Sequence, residues 1–120
     1  MNTAVRVASI FFIGLCCSSF AADARDYDRS VGSGIQVVAG TYGGNCRQPR
    51  GNKTAHLARA CNGRGACRYT VDYRVIGDPA RGCAKNCVAE WRCGGGSRVY
   101  RAKVAPEAGY KKTVELRCSR

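Results

Sequence analysis

Short stretches of apolar residues, several of which alternate with polar ones, recur along the chain and predict β-strands. Their apolar members are mostly valine, isoleucine, tyrosine and tryptophan, which favour strands. Glycine, proline and asparagine separate the stretches, as expected for the turns of an antiparallel arrangement. The predicted strands are residues 35–38, 67–73, 87–93, 97–104 and 113–118.

One segment, residues 54–60, has the pattern of a short helix instead. Leu57 and Cys61 are four residues apart, so a helix would place them on the same face. Asn52 or Thr54 can cap its start, and the asparagine-glycine pair that follows can end it. The pattern therefore predicts several strands and one short helix.

The beginning of the chain is typical of an export signal. Arg6 gives a basic start, residues 7–20 form an apolar run of 14 residues, and small residues lie around Ala21. A membrane span takes about 20 apolar residues, so this length argues against the alternative of an N-terminal anchor. The expected location is therefore secreted or periplasmic, with no transmembrane segment after cleavage. The predicted division is 1–21 (signal peptide), 22–34 (flexible lead-in) and 35–120 (folded domain).

Cysteines are frequent for a chain of this length. Two of the nine, Cys16 and Cys17, fall in the signal peptide. Export and cysteine density together predict an oxidising compartment and a disulfide framework, in which each bridge typically adds ~2–4 kcal/mol. Seven cysteines remain after the predicted cleavage. Because this number is odd, at least one thiol is free or pairs between chains. Two pairs follow from position, Cys61–Cys67 closing a small loop and Cys93–Cys118 joining the ends of two strands.

The charge is strongly positive but evenly distributed. Twenty lysines and arginines stand against eight acids, for a formal net charge of +12. Such a surface attracts anionic partners, of which acidic glycans and cell-envelope polymers suit an exported protein. No run of basic residues indicates specific nucleic-acid binding. A solvated basic surface without a dedicated partner is the simpler interpretation.

Catalytic and metal-binding patterns are weak. His56 is the only histidine, so a nucleophile-base set would have to include it. Cys83 and Cys87 have a spacing that zinc sites use, but in an exported chain disulfide bonding is the expected fate. No acidic cluster suggests a calcium loop. We therefore expect no enzyme activity, no metal and no cofactor.

A series of motifs between residues 35 and 93 carries the main functional signal. These motifs are IQVVAGTYG (35–43), CNGRGAC (61–67), IGDPARG (76–82), Lys85 and CVAEWRC (87–93). Through them the chain resembles the galactose/rhamnose-binding lectin domain, also called the sea-urchin-egg-lectin or SUEL type. In the same order, that family has a strand leading into an Ala-Asn-Tyr-Gly-like turn, a pair of cysteines six residues apart after a helix, a Gly-Asp-Pro-Cys turn, a Gly-Thr-Tyr-Lys-Tyr-Leu segment and a final strand ending in Cys.

The resemblance implies a sugar site and a function. Its residues would be Tyr42, Asp78, Gly82 and Lys85. A tyrosine ring projecting from the turn would pack on the apolar face of a sugar, a carboxylate would accept hydroxyl protons, and an ammonium would donate to sugar oxygens. The implied function is non-catalytic carbohydrate binding of the galactoside or rhamnoside type.

The resemblance also implies how the remaining cysteines pair. The family's cysteine after Gly-Asp-Pro is Ala80 here, and Cys83 takes its place three residues later. Cys46 is therefore expected to bond with Cys83. Cys87 is then left as a free thiol, buried at a strand position.

These observations together predict an α+β fold, a small disulfide-stapled antiparallel β-sandwich with one short helix. Residues 94–120 lie beyond the family's motifs and are expected to add one or two strands. The alternative function, from a different class, is that of a secreted basic inhibitor or antimicrobial protein that binds anionic envelopes and uses the lectin-like fold only as a scaffold.

Overall fold

A computed structural model describes residues 34–118 of the chain. The signal peptide predicted at 1–21 lies outside the described residues, as does the lead-in predicted at 22–34 apart from Gly34. In chain order the elements are β1 (Ile35–Tyr42), a 3-10 turn (Gly44–Cys46), α1 (Thr54–Cys61), β2 (Ala66–Asp72), α2 (Tyr73–Ile76), β3 (Cys87–Cys93), β4 (Tyr100–Val104) and β5 (Tyr110–Arg117).

The strands form two antiparallel sheets that share one core. β3 lies between β1 and β4 in the first sheet, and β2 pairs with β5 in the second. Buried residues from both sheets belong to a single apolar cluster, and α1 packs against β1. The predicted fold class, a small disulfide-stapled α+β domain of antiparallel sheets with one short helix, is confirmed.

The hydrophobic pattern correctly identifies much of the core. In β2, the alternate residues Cys67, Tyr69 and Val71 are buried while Arg68 and Thr70 between them are exposed. From α1, the two residues that share a face, Leu57 and Cys61, enter the same core. Burial of a side chain such as that of leucine typically stabilises a fold by ~1.5–3 kcal/mol.

The alternation in β2 ends one residue earlier than its sequence suggests. Tyr73 does not extend the strand but begins the single turn of α2. The Asp72 carboxylate accepts a hydrogen bond of 2.9 Å from the backbone amide of Arg74 and so caps this turn.

The capping roles expected of Asn52 and Thr54 are wrong. α1 begins after Lys53 without a side-chain cap, because both side chains bind the backbone of β1 instead. Asn52 accepts from the amide of Tyr42 at 2.8 Å and donates to its carbonyl at 2.9 Å. The Thr54 hydroxyl accepts from the amide of Gly40 at 3.1 Å. These bonds hold the loop before α1 against an edge strand.

Three disulfides join the described elements, and all three pairs are those expected from the sequence. Cys87 has a free, buried thiol within β3. Disulfides of this number fit a compartment outside the cytoplasm. No helix among residues 34–118 has the length and apolar character needed to cross a membrane. The bonded pairs are Cys46–Cys83, Cys61–Cys67 and Cys93–Cys118.

Candidate functional site

The loop between α2 and β3 brings three of the four predicted sugar-binding residues into one cluster. Lys85 is buried, with 5% of its surface exposed, and its Nζ lies 5.7 Å from the centre of the Tyr42 ring. The same nitrogen is 2.7 Å from Oδ1 of Asp78. It also donates to the carbonyl oxygens of Ala80 at 2.9 Å and Cys83 at 2.7 Å. An ammonium has three N–H groups, so all three are used inside the loop.

The Tyr42 ring packs on the core side of this cluster, under the Lys85 ammonium. The expectation that its ring projects from the turn is wrong, because Tyr42 is the last residue of β1, faces the core and is only 2% exposed. Its hydroxyl lies so close to Gly109 that no side chain would fit at that position. Burial, followed by the negative charge of Asp78, raises the pKa of Tyr42. The ring therefore packs beneath Lys85 and does not offer a face to a ligand.

Asp78 retains an acceptor that the fold does not use. Its side chain is 33% exposed, and its Oδ1 accepts both the Lys85 ammonium and the Ala80 amide, the latter at 3.3 Å. Its Oδ2 makes no hydrogen bond to residues 34–118. The hydrogen bond from Lys85 lowers the pKa of Asp78, so this carboxylate is ionised at neutral pH. The loop thus presents a charged oxygen in a fixed position.

Gly82, the fourth predicted residue, lies at the surface of the same loop. Its φ of 78° is in the left-handed region that favours glycine, and no other atom lies close to where a side chain would begin. The next residue, Cys83, is bonded to Cys46, the last residue of the 3-10 turn. The disulfide and the Lys85 hydrogen bonds therefore both hold this loop in place.

A small cavity of about 160 Å³ adjoins Gly109 and was not anticipated from the sequence. Tyr110 is 66% exposed and packs edge to face on Tyr73, with ring centres 5.4 Å apart. The Arg74 guanidinium lies 5.9 Å from the centre of the Tyr73 ring. Two tyrosines, each followed by a cation and each beside a turn, are the signal that could have identified this cavity.

A larger groove of about 460 Å³ lies on the outer face of the three-stranded sheet, the face directed away from the core. It could not be recognised in the sequence, because its charged residues come from three separate segments. In the β3–β4 register Glu90 faces Arg101, while Arg50 reaches them from the loop before α1. The groove is lined by Thr41, Gln48, Arg50, Val88, Glu90 and Arg101, among others.

Comparisons of the chain with protein-family models, with curated proteins and with solved structures gave no match. Within residues 34–118, no group of three or more histidine, cysteine, aspartate or glutamate side chains is arranged to hold a metal ion. The candidate binding sites of this protein are therefore two surface regions, the Asp78 loop and the outer groove.

Proposed function

We propose that this protein is a non-catalytic carbohydrate-binding protein of the SUEL lectin type, acting in the secreted or periplasmic space. The observation that carries this proposal is the Asp78 carboxylate, which is ionised at the surface and has one unused oxygen. A carboxylate oxygen in that position accepts hydrogen bonds from the vicinal hydroxyls of a sugar. The motifs shared with the lectin family favour a galactose-like or rhamnose-like ligand.

The rigidity of the Asp78 loop supports a binding role. Lys85 and the Cys46–Cys83 disulfide fix the loop before any ligand arrives, so little conformational entropy is lost on binding. Tyr110 follows Gly109, which lies against the Tyr42 hydroxyl, so Tyr110 is at the same end of the domain as the cluster of Tyr42, Lys85 and Asp78. The exposed Tyr110 ring at this end of the domain offers an apolar surface to the C–H face of a sugar.

The states of His56 and Cys87 favour binding over catalysis. His56 Nδ1 is 2.7 Å from the hydroxyl of Tyr69, so one ring nitrogen already has a partner within the fold. Burial raises the pKa of the Cys87 thiol to about 11, which makes it a poor nucleophile at neutral pH.

The proposal is tested by titrating the isotope-labelled protein with galactose and rhamnose and following amide resonances. A shallow polar site for one monosaccharide is expected to bind with a Kd of about 1 mM, so useful affinity would require several copies. Asp78→Asn keeps the shape of the side chain but removes its charge, and we expect it to weaken binding at least fivefold. Resonances of the loop at 77–86 should shift in the parent.

Glu107→Gln is the matched control, since it removes another exposed carboxylate from the neighbouring turn. It should bind the sugar as the parent does. If Asp78→Asn binds equally well, or if neither sugar shifts the loop resonances, the Asp78 loop is not a sugar site. Sugar binding that disappears equally in both variants would indicate a general effect of charge.

A further inference from the structure

The outer groove is a second candidate site, built from different residues than the Asp78 loop. Its floor contains Thr41 and Val88, which face each other in the β1–β3 register and are both largely buried. Arg50 and Arg101 are exposed on either side of Glu90. A groove with a small apolar floor and polar walls suits a sugar ring better than a lipid chain, because little apolar surface is open to contact.

The two arginines have donors that the fold does not use. Arg50 donates through Nε to Oε2 of Glu90 at 3.0 Å, which leaves its two terminal nitrogens without a hydrogen bond to residues 34–118. Arg101 has no carboxylate within salt-bridge distance among the same residues. A planar guanidinium with free terminal N–H groups matches the two oxygens of a carboxylate or sulfate.

Arg50 belongs to a loop that is rigid where it meets β1. The amide of Gly51 donates to the Thr41 hydroxyl at 2.9 Å, and the amide of Lys53 donates to the carbonyl of Gly40 at 2.9 Å. The bonds from Asn52 to the same strand reinforce them. Together with the anchor on Glu90, these contacts position the Arg50 guanidinium over the sheet before a ligand binds.

The surrounding sheet face adds further positive charge. In the strand registers, Arg92 and Lys103 lie on the same side as Glu90 and Arg101. With Arg50, this face has four basic residues and a single acid. None of the residues that line the groove is aromatic, so it lacks the stacking surfaces by which proteins hold unpaired bases.

We propose that this groove binds the carboxylate or sulfate groups of an acidic polysaccharide, with Arg50 and Arg101 as the anion-binding residues and Glu90 as a positioning residue. This second site does not depend on the Asp78 loop. A guanidinium can bind two oxygens of either a carboxylate or a sulfate group. Binding measurements with carboxylated and with sulfated ligands therefore decide between these two groups.

The first test compares two forms of one ligand. An oligogalacturonate should bind the protein, as measured by calorimetry at moderate salt, and its fully methyl-esterified form should bind at least tenfold more weakly. Sulfated and unsulfated dextran are the second pair of ligands, and we expect the sulfated form to bind more tightly. Binding of the esterified form as tight as the acid, with no preference for sulfated dextran, would overturn the proposal.

The second test uses variants of the protein. Arg50→Gln and Arg101→Gln should each weaken oligogalacturonate binding by about tenfold, the loss typical of one charge-assisted contact. Arg68→Gln is the matched control, because it removes one positive charge from β2 in the other sheet, where Arg68 pairs with Glu115. An equal loss of affinity in Arg68→Gln would show that binding depends only on net charge and would refute the groove as the binding site.

Glu90→Ala gives the sharpest result, because two explanations predict opposite signs. Attraction by net charge alone predicts tighter binding, since a negative charge is removed from the face. A positioned Arg50 predicts weaker binding, by about threefold or more, since the guanidinium loses its anchor. Melting temperatures near that of the parent would confirm that the variants are folded. Tighter binding by Glu90→Ala would refute the positioning role of Glu90. If duplex DNA binds the protein and the same groove variants weaken that binding equally, the proposal of a polysaccharide ligand is refuted.

Discussion

Replacement of Lys85 by methionine is expected to destabilise the domain strongly, although the side chain volume hardly changes. The ammonium is buried and donates to two carbonyl oxygens, those of Ala80 and Cys83, as well as to Asp78. Hydrogen bonds from a charged group contribute ~1.5–3 kcal/mol each, and the carbonyls left behind are only half-buried, so water compensates in part. The two carbonyl bonds together suggest a loss of about 2–4 kcal/mol in the free energy of unfolding.

Urea denaturation of the disulfide-bonded protein measures this loss. The fluorescence of Trp91, the only tryptophan, reports unfolding because its ring is buried in β3. A change of 2–4 kcal/mol corresponds to a fall of roughly 10–30 °C in melting temperature for a domain of this size. Lys112→Met is the control, since Lys112 is exposed and donates to a single carbonyl, that of Pro106, at 3.2 Å. If Lys85→Met is as stable as this control, Lys85 does not hold the loop, and its ammonium is available to a ligand after all.

Two further predictions concern ionisable groups. The folded-state pKa of Asp78 is lower than its unfolded-state pKa, so its contribution to stability is present at neutral pH and is lost as the pH falls below about 4. Asp78→Asn should therefore flatten the acid side of the stability profile, and an unchanged acid side would contradict this assignment. The Cys87 thiol, with a pKa of about 11, should react with a thiol reagent only after denaturation; labelling of the native protein within minutes would place it at the surface.

Much of the fold could be predicted from the sequence, because it follows from local patterns. The period-two alternation of 67–73 and the spacing of Leu57 and Cys61 identify buried faces without any knowledge of the partner elements. The caps of α1 could not be predicted in the same way. Asn52 and Thr54 have the residue types of helix caps, but β1 offers them backbone partners that are distant in sequence.

The functional regions were harder to predict because their residues come together only through long-range pairing. Arg50, Glu90 and Arg101 are isolated charges in the sequence, and the sheet register together with the loop before α1 makes them neighbours. The position of the Tyr42 ring also depends on strand pairing. The glycines after it suggest a projecting ring, whereas the β-bulge between Val37 and Ala39 shifts the alternation of β1 and turns the Tyr42 side chain toward the core.

Lys85 is bound internally because its own loop supplies the acceptors. The carbonyl oxygens of Ala80 and Cys83 and the carboxylate of Asp78 together surround the ammonium.

This internal use of Lys85 separates two kinds of recognition on one rigid domain. At the Asp78 loop the positive charge is neutralised by a neighbouring carboxylate, so we propose that a ligand there is bound through its hydroxyl groups. On the outer sheet face Arg50 and Arg101 outnumber Glu90, so we propose that a ligand there is bound through its charge. Added salt screens exposed charges and leaves neutral hydrogen bonding largely unaffected. It should therefore weaken oligogalacturonate binding severalfold while leaving galactose or rhamnose binding nearly constant, and a parallel loss of both would mean that the two ligands share one site.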